Sequence, residues 1–168
     1  MKKKVALILA AVMLLVLTAG CGGAGKTVTT KDGSVTFNKE GTVTFEGKDG
    51  SKSEVEVAKE EGGEVALPEG YPTDLVPIMS GAKIVLANRN QESGKTTYWV
   101  TASTTESAQD TYKYYQEALK DLQDPSNMQM NNIYSLGGVK DGQQINLIIT
   151  PEDDNKSTNL QITIAPKE

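Results

Sequence analysis

Gln143-Gln144-Ile145-Asn146-Leu147-Ile148-Ile149-Thr150 and, further on, Asn159-Leu160-Gln161-Ile162-Thr163-Ile164 are the stretches that decide the fold class. In both, large aliphatic residues recur at every second position, and residues two apart on a strand share a face. A hairpin turning through Asp154-Asn155 sets Ile149 opposite Leu160, Leu147 opposite Ile162 and Ile145 opposite Ile164. Upstream, residues 82–87 and 96–102 read as a second pair of strands. Turning about Glu92, they place Ala82, Ile84 and Leu86 across from Ala102, Val100 and Tyr98, and leave Val85 against Trp99 on the other face. Between the pairs, Ser107 suits a helix N-cap, and Asp110 suits the positive end of the helix dipole. Ala108, Thr111, Tyr112, Tyr115, Leu119 and Leu122 then fall on one helical stripe, and Pro125 closes the helix. Residues 133–136 supply one further strand before Gly137-Gly138. The expected fold class is therefore α+β, an antiparallel β-sheet with one covering α-helix in ββαββ(β) order.

This α+β domain spans residues 65–168. It opens on a segment holding Pro68, Pro72 and Pro77, whose fixed backbone angles and missing donors predict an extended lead-in rather than a helix. Ser80-Gly81 turns it into the first strand. Residues 21–64 are different, rich in Thr, Gly, Lys and Glu. Here Gly33-Ser34-Val35-Thr36-Phe37 is echoed by Gly41-Thr42-Val43-Thr44-Phe45, and Val55 and Val57 repeat the alternation. A turn at Lys39-Glu40-Gly41 faces Phe37 with Val43 and Val35 with Phe45. A second, at Asp49-Gly50-Ser51, faces Phe45 with Val55 and Val43 with Val57. This predicts a short β-meander with one apolar and one threonine-rich face, packed on the C-terminal domain for support, since so small a sheet is marginal alone. The competing expectation is a flexible stalk.

Residues 1–20 carry an address. Lys2, Lys3 and Lys4 precede an apolar run from Val5 to Leu17, too short for the roughly 20 residues of a bilayer crossing. Small residues then lead to Cys21, the single cysteine of the chain. The arrangement matches a secretory signal and resembles a bacterial lipoprotein precursor, with Thr18 standing where that family more often has leucine. The resemblance implies cleavage between Gly20 and Cys21 and attachment of lipid to the Cys21 sulfur. It implies a protein at the extracytoplasmic face of the cell membrane. Residues 67–119, with Val76-Pro77-Ile78, Gly81-Ala82-Lys83-Ile84 and Tyr114-Tyr115, look like a group of small uncharacterised bacterial lipoproteins, a likeness that brings no activity with it.

Removing three lysines with the signal leaves 14 of 17 basic side chains against 22 acidic ones, so the formal net charge falls from −5 to −8. Such a surface repels phosphate backbones, and nucleic acid is not an expected partner. It argues equally against electrostatic adsorption to anionic lipid. Attachment then rests on acyl chains, of which two or more are needed for firm anchoring. With one cysteine there is no intrachain disulfide, and stability must come from an apolar core.

Little in the chain points to catalysis. There is no histidine, which removes the commonest general base, the usual zinc ligand and the Ser-His and Cys-His pairs. Ser80-Gly81-Ala82-Lys83 has the S-x-x-K spacing of serine β-lactamases, but that chemistry needs both side chains on one helix face, and these residues lead into a strand. Asp153-Asp154-Asn155 lacks the spacing of a calcium loop and reads as a hairpin tip. Glu60-Glu61 and Glu64 read as a solvated hinge. No enzyme, cofactor or metal site is expected. Trp99, Val85 and Tyr71 are the candidate interaction surface, for an envelope protein or a glycan; the alternative is that the meander or Tyr71 covers Trp99. The expected role is binding or scaffolding at the cell envelope. The alternatives are a small histidine-independent hydrolase or ligand-binding enzyme, and a passive spacer or assembly subunit.

Overall fold

A computed structural model describes residues 25–38, 41–57, 63–152 and 157–167. Ten strands occur in these residues: β1 (Lys26–Thr30), β2 (Gly33–Phe37), β3 (Thr42–Gly47), β4 (Lys52–Val57), β5 (Lys83–Glu92), β6 (Lys95–Thr104), β7 (Gln123–Met130), β8 (Ile133–Lys140), β9 (Gln143–Pro151) and β10 (Thr158–Pro166). One helix, α1 (Ala108–Ala118), lies between β6 and β7. All the strands join one antiparallel sheet in the order β1-β2-β3-β4-β5-β6-β10-β9-β8-β7.

This corrects the α+β expectation. The described residues are mostly antiparallel sheet with a single short helix, and the ββαββ(β) order accounts for only part of them. Two segments make the difference. Residues 26–57 form four strands that continue the C-terminal sheet edge to edge through β4–β5 pairing, with Val57 opposite Leu86 and Lys52 opposite Gln91. They do not stack on it. The polar stretch Gln123–Met130 forms β7 although Pro125 lies within it, because it is an edge strand whose pairing with β8 is irregular between Gln123 and Ser126. There the backbones come close: a Cβ on Gly138 would lie 2.9 Å from both the Gln123 carbonyl oxygen and Leu122 Cβ.

The core lies on one face of β5, β6, β10, β9 and β8. The aliphatic ladder of β9 and β10 pairs as its alternation predicts, Ile149 with Leu160, Leu147 with Ile162 and Ile145 with Ile164. All six side chains are almost wholly buried. Helix α1 covers this ladder, packing on β8, β9 and β10. The Ser107 hydroxyl caps it by accepting from the Asp110 backbone N–H at 3.1 Å, and the stripe of Ala108, Thr111, Tyr115 and Leu119 faces inward. Tyr112 stacks on Tyr134 of β8 at 4.6 Å between centroids. The proline-rich segment completes the cover in successive turns (Tyr71 to Pro68, Leu75 to Pro72) that insert Tyr71, Leu75 and Val76 into the core. Tyr115 pins the helix to this segment. Its hydroxyl donates to the Pro77 carbonyl at 3.0 Å and accepts from the Met79 N–H at 3.2 Å.

Two hairpins depart from their expected register. Between β3 and β4 the pairing slips by two residues, so that Val43 meets Val55 and Phe45 meets Ser53. The turn is set by Asp49, whose Oδ1 accepts from Ser51 N–H at 3.0 Å and from its hydroxyl at 2.6 Å, with Gly50 in the left-handed region at φ 82°. An even slip keeps each side chain on its own face. Between β5 and β6 the shift is odd. The chain reverses at Ser93-Gly94, both left-handed at φ 52° and 75°, the tight two-residue turn that suits strand twist. Ala87 therefore faces Val100, Ile84 faces Ala102, and a bulge at Val85 reconciles the two. Leu86, expected in the core, lies opposite Thr101 on the other face. The β2–β3 register matches expectation, Phe37 with Val43 and Val35 with Phe45.

Candidate functional site

Pairing fixes which side chains share a face, and it divides the sheet sharply. Val100, Ala102, Ile162 and Leu147 mark the covered face. On the opposite, outer face, Trp99 pairs with Asn88, Asn88 with Val55, Val55 with Val43 and Val43 with Phe37. Parallel to that row, Val57 pairs with Leu86, Phe45 with Val35 and Val35 with Val28. The apolar side of β1–β4 is thus turned away from the helix, whereas the covered side of the sheet contains the C-terminal core. Acids and threonines of the same strands, Thr44, Glu54 and Glu56 among them, face the helix side.

No residue of β1–β4 is buried. Each side chain there is half-covered at best by its own neighbours, because these strands form a single layer. The exposed large hydrophobic residues are Val28, Val57, Trp99, Met128, Met130 and Ile148, from 36% to 59% accessible. Following the pairing through β10, β9, β8 and β7 places all six on the outer face. Within the strands, the charged residues of that face are Lys26 at one corner, Lys83 at the start of β5 opposite Ser103, and the Glu92–Lys95 pair beside the Ser93-Gly94 turn. The rest is aliphatic, aromatic, amide or hydroxyl. A chain with 22 acidic side chains has kept all but one of its strand carboxylates off this surface.

The three candidate contact residues are dispersed. Trp99 is 47% exposed on the outer face, where neither Tyr71 nor the meander covers it; the meander extends the same surface sideways. Val85 is the unpaired residue of the β5 bulge, between Ile84 and Leu86, and does not meet Trp99, which pairs with Asn88. Tyr71 is in the core, edge-on to Tyr98 at 5.8 Å. Its hydroxyl has no hydrogen-bond partner among the described residues, and burial pushes its pKa well above the ordinary phenol value. Tyr115 is raised for the same reason. Gly20, Cys21, Glu60, Glu61 and Asp153-Asp154-Asn155 lie outside the described residues.

Ser80-Gly81 is a turn, with Gly81 left-handed at φ 82°, and Lys83 begins β5, so the S-x-x-K match has no helix to act from. Among the described residues, no group of three or more His, Cys, Asp or Glu side chains is placed to hold a metal ion. Met128 and Met130 are surface residues that the sequence reading missed, since a polar segment around Pro125 gives no strand signal. The alternation of valine and phenylalanine with threonine did reveal a two-faced meander. What it could not give was the face on which the C-terminal core lies.

Neither a protein-family model, nor a curated protein, nor a solved structure matches this chain.

Proposed function

We propose that this chain is a lipid-anchored protein of the extracytoplasmic side of a bacterial membrane, held through Cys21, that binds or scaffolds rather than catalyses. The observation that carries the binding role is the gathering of every exposed large hydrophobic residue of the described chain onto one nearly charge-free sheet face. Apolar side chains gathered on one exposed face mark an interaction site, and the uncharged middle of the face meets an uncharged partner surface with no ion to desolvate. Histidine, the commonest general base, is absent, and the exposed side chains of this face are suited to contact. The anchoring part rests on Lys2–Lys4, the apolar run and Cys21.

Two measurements test the two parts separately. Cells making the protein are fed labelled palmitate; label on the wild type and none on Cys21→Ser is expected, and an unlabelled wild type refutes anchoring. Val57→Cys and Val28→Cys are then labelled with a maleimide, in membranes and after purification at high dilution. The outer-face cysteines should react several-fold more slowly in membranes, while Glu54→Cys on the helix side reacts alike in both. Equal rates at all three positions refute binding through this face and favour a passive spacer.

A further inference from the structure

We propose that the outer face of β1–β6 is the interface of a symmetric dimer, in which a second copy of this chain supplies the sheet layer that β1–β4 lack. This deepens the binding role proposed above by naming the partner.

Three observations select a second copy. The first is shape. Adjacent strands rotate by about 20–25°, so the outer face turns through roughly 100–125° between β1 and β6. A flat surface such as a bilayer touches only two or three strands of such a face at once. Another sheet with the same twist follows it along its length, as the two layers of an aligned β-sandwich do at about 10 Å separation. The identical chain has that twist. The second is charge. Lys26 is the only charged residue on the outer face of β1–β4, and Val35, Phe37, Val43, Phe45 and Val55 form its middle. Lys83, Glu92 and Lys95, at the ends of β5 and β6, complete the charges of the face, so two such faces meet across an uncharged centre with their few ions at the rim, although the protein as a whole is acidic. A two-fold axis makes the same patch serve both sides.

The third is size. Six strands about 4.8 Å apart and about five residues long, at roughly 3.3 Å each, give a patch of roughly 29 by 17 Å. Two copies bury about 1,000 Å² before side-chain relief is counted, near the lower limit for a specific interface. A dimer of this size dissociates readily at high dilution. Tethering both copies to one membrane through residues just ahead of β1 raises their effective concentration, so anchoring and pairing reinforce one another.

The test uses the full chain in its own membranes. Val43→Cys and Val55→Cys, at the centre of the face, are treated with a short bis-maleimide, alongside Thr44→Cys, which points to the helix side of the same strand. Dimer yields at least tenfold higher at 43 and 55 than at 44 are expected. Separately, the purified wild type is diluted stepwise while the emission of Trp99, the only tryptophan, is followed; dissociation should shift it to the red. Equal yields at 43, 44 and 55 overturn the proposal. So does emission independent of concentration, even if the cysteine variants misfold. Palmitate label with no dimer refutes the pairing alone, and dimer without label refutes the anchoring alone.

Discussion

Replacing Tyr115 with phenylalanine removes a single oxygen and should cost far more than the same change at Tyr71. Both rings are buried in the same core. The Tyr115 hydroxyl joins the Pro77 carbonyl and the Met79 N–H, whereas the Tyr71 hydroxyl has no partner among the described residues. Without it, one donor and one acceptor of the proline-rich segment lose their bonds beneath the helix. Pro77 and Met79 are only half-buried, so water replaces part of what is lost. A cost near the low end of the range for orphaned groups, about 1 kcal/mol each, gives about 2 kcal/mol in total. Tyr71→Phe should leave stability unchanged or raise it by up to about 1 kcal/mol, since an unbonded polar atom leaves a dry site. Urea and thermal unfolding at neutral pH, followed by Trp99 fluorescence and far-ultraviolet circular dichroism, measure both; Tyr115→Phe should lower Tm by roughly 6 °C. Equal effects of the two substitutions would refute the view that hydrogen bonds from the helix hold the proline-rich segment in place.

Alkaline titration tests the same phenols. Burial raises both above the ordinary value of 10.0, so the folded chain keeps protons that the unfolded chain releases. Their contribution is intact below pH 10 and is lost as pH rises towards the folded pKa values, at up to about 1.4 kcal/mol per pH unit for each. Denaturant midpoints should be level to about pH 9 and fall beyond pH 10, with a shallower fall in Tyr71→Phe; parallel falls would count against burial of Tyr71. Gly138→Ala forces a methyl against the Gln123 carbonyl and Leu122 and should destabilise by about 1–3 kcal/mol, read by urea unfolding, with no change expected if β7 detaches freely. Ser107→Ala removes the N-cap bond to Asp110 and should cost about 1 kcal/mol, detectable as faster amide exchange in the first turn of α1.

Period-2 alternation was enough to place the β9–β10 ladder residue by residue, because a buried face tolerates no odd slip; the β2–β3 hairpin, which has no buried residue, followed instead from its repeat and the left-handed Gly41 that ends its turn. The N-cap at Ser107 and the inward stripe of α1 were legible for the equivalent reason at period 3.6. Failures came where a turn, not a pattern, decided. Ser93-Gly94 reverses the chain in two residues, and that parity moved Leu86 to the outer face while bringing Ala87 in. At Gly47–Ser51 the Asp49 side chain sets the three-residue turn one position earlier than expected, a shift that patterning cannot detect because every side chain keeps its face. β1 has one apolar residue and β7 has a proline, and each forms because a neighbour offers it a free edge. The candidate site was half legible: Trp99 was recognised as facing away from the core, but its surroundings depend on β4–β5 pairing, which is a long-range contact with no local signature.

The two outer ladders of the sheet are built from strands consecutive in the chain, β1 to β6 and β7 to β10. They are sewn together along a single seam, β6 with β10, where Ile162 faces Val100 and Leu160 faces Ala102. Of the described strands, the last along the chain is therefore the one that closes the middle of the sheet. Until Thr158–Pro166 is in place, Val100 and Ala102 have only β5 beside them, and α1 meets β8 and β9 without the strand that completes their ladder. Joining the two halves waits on the strand farthest along the described residues.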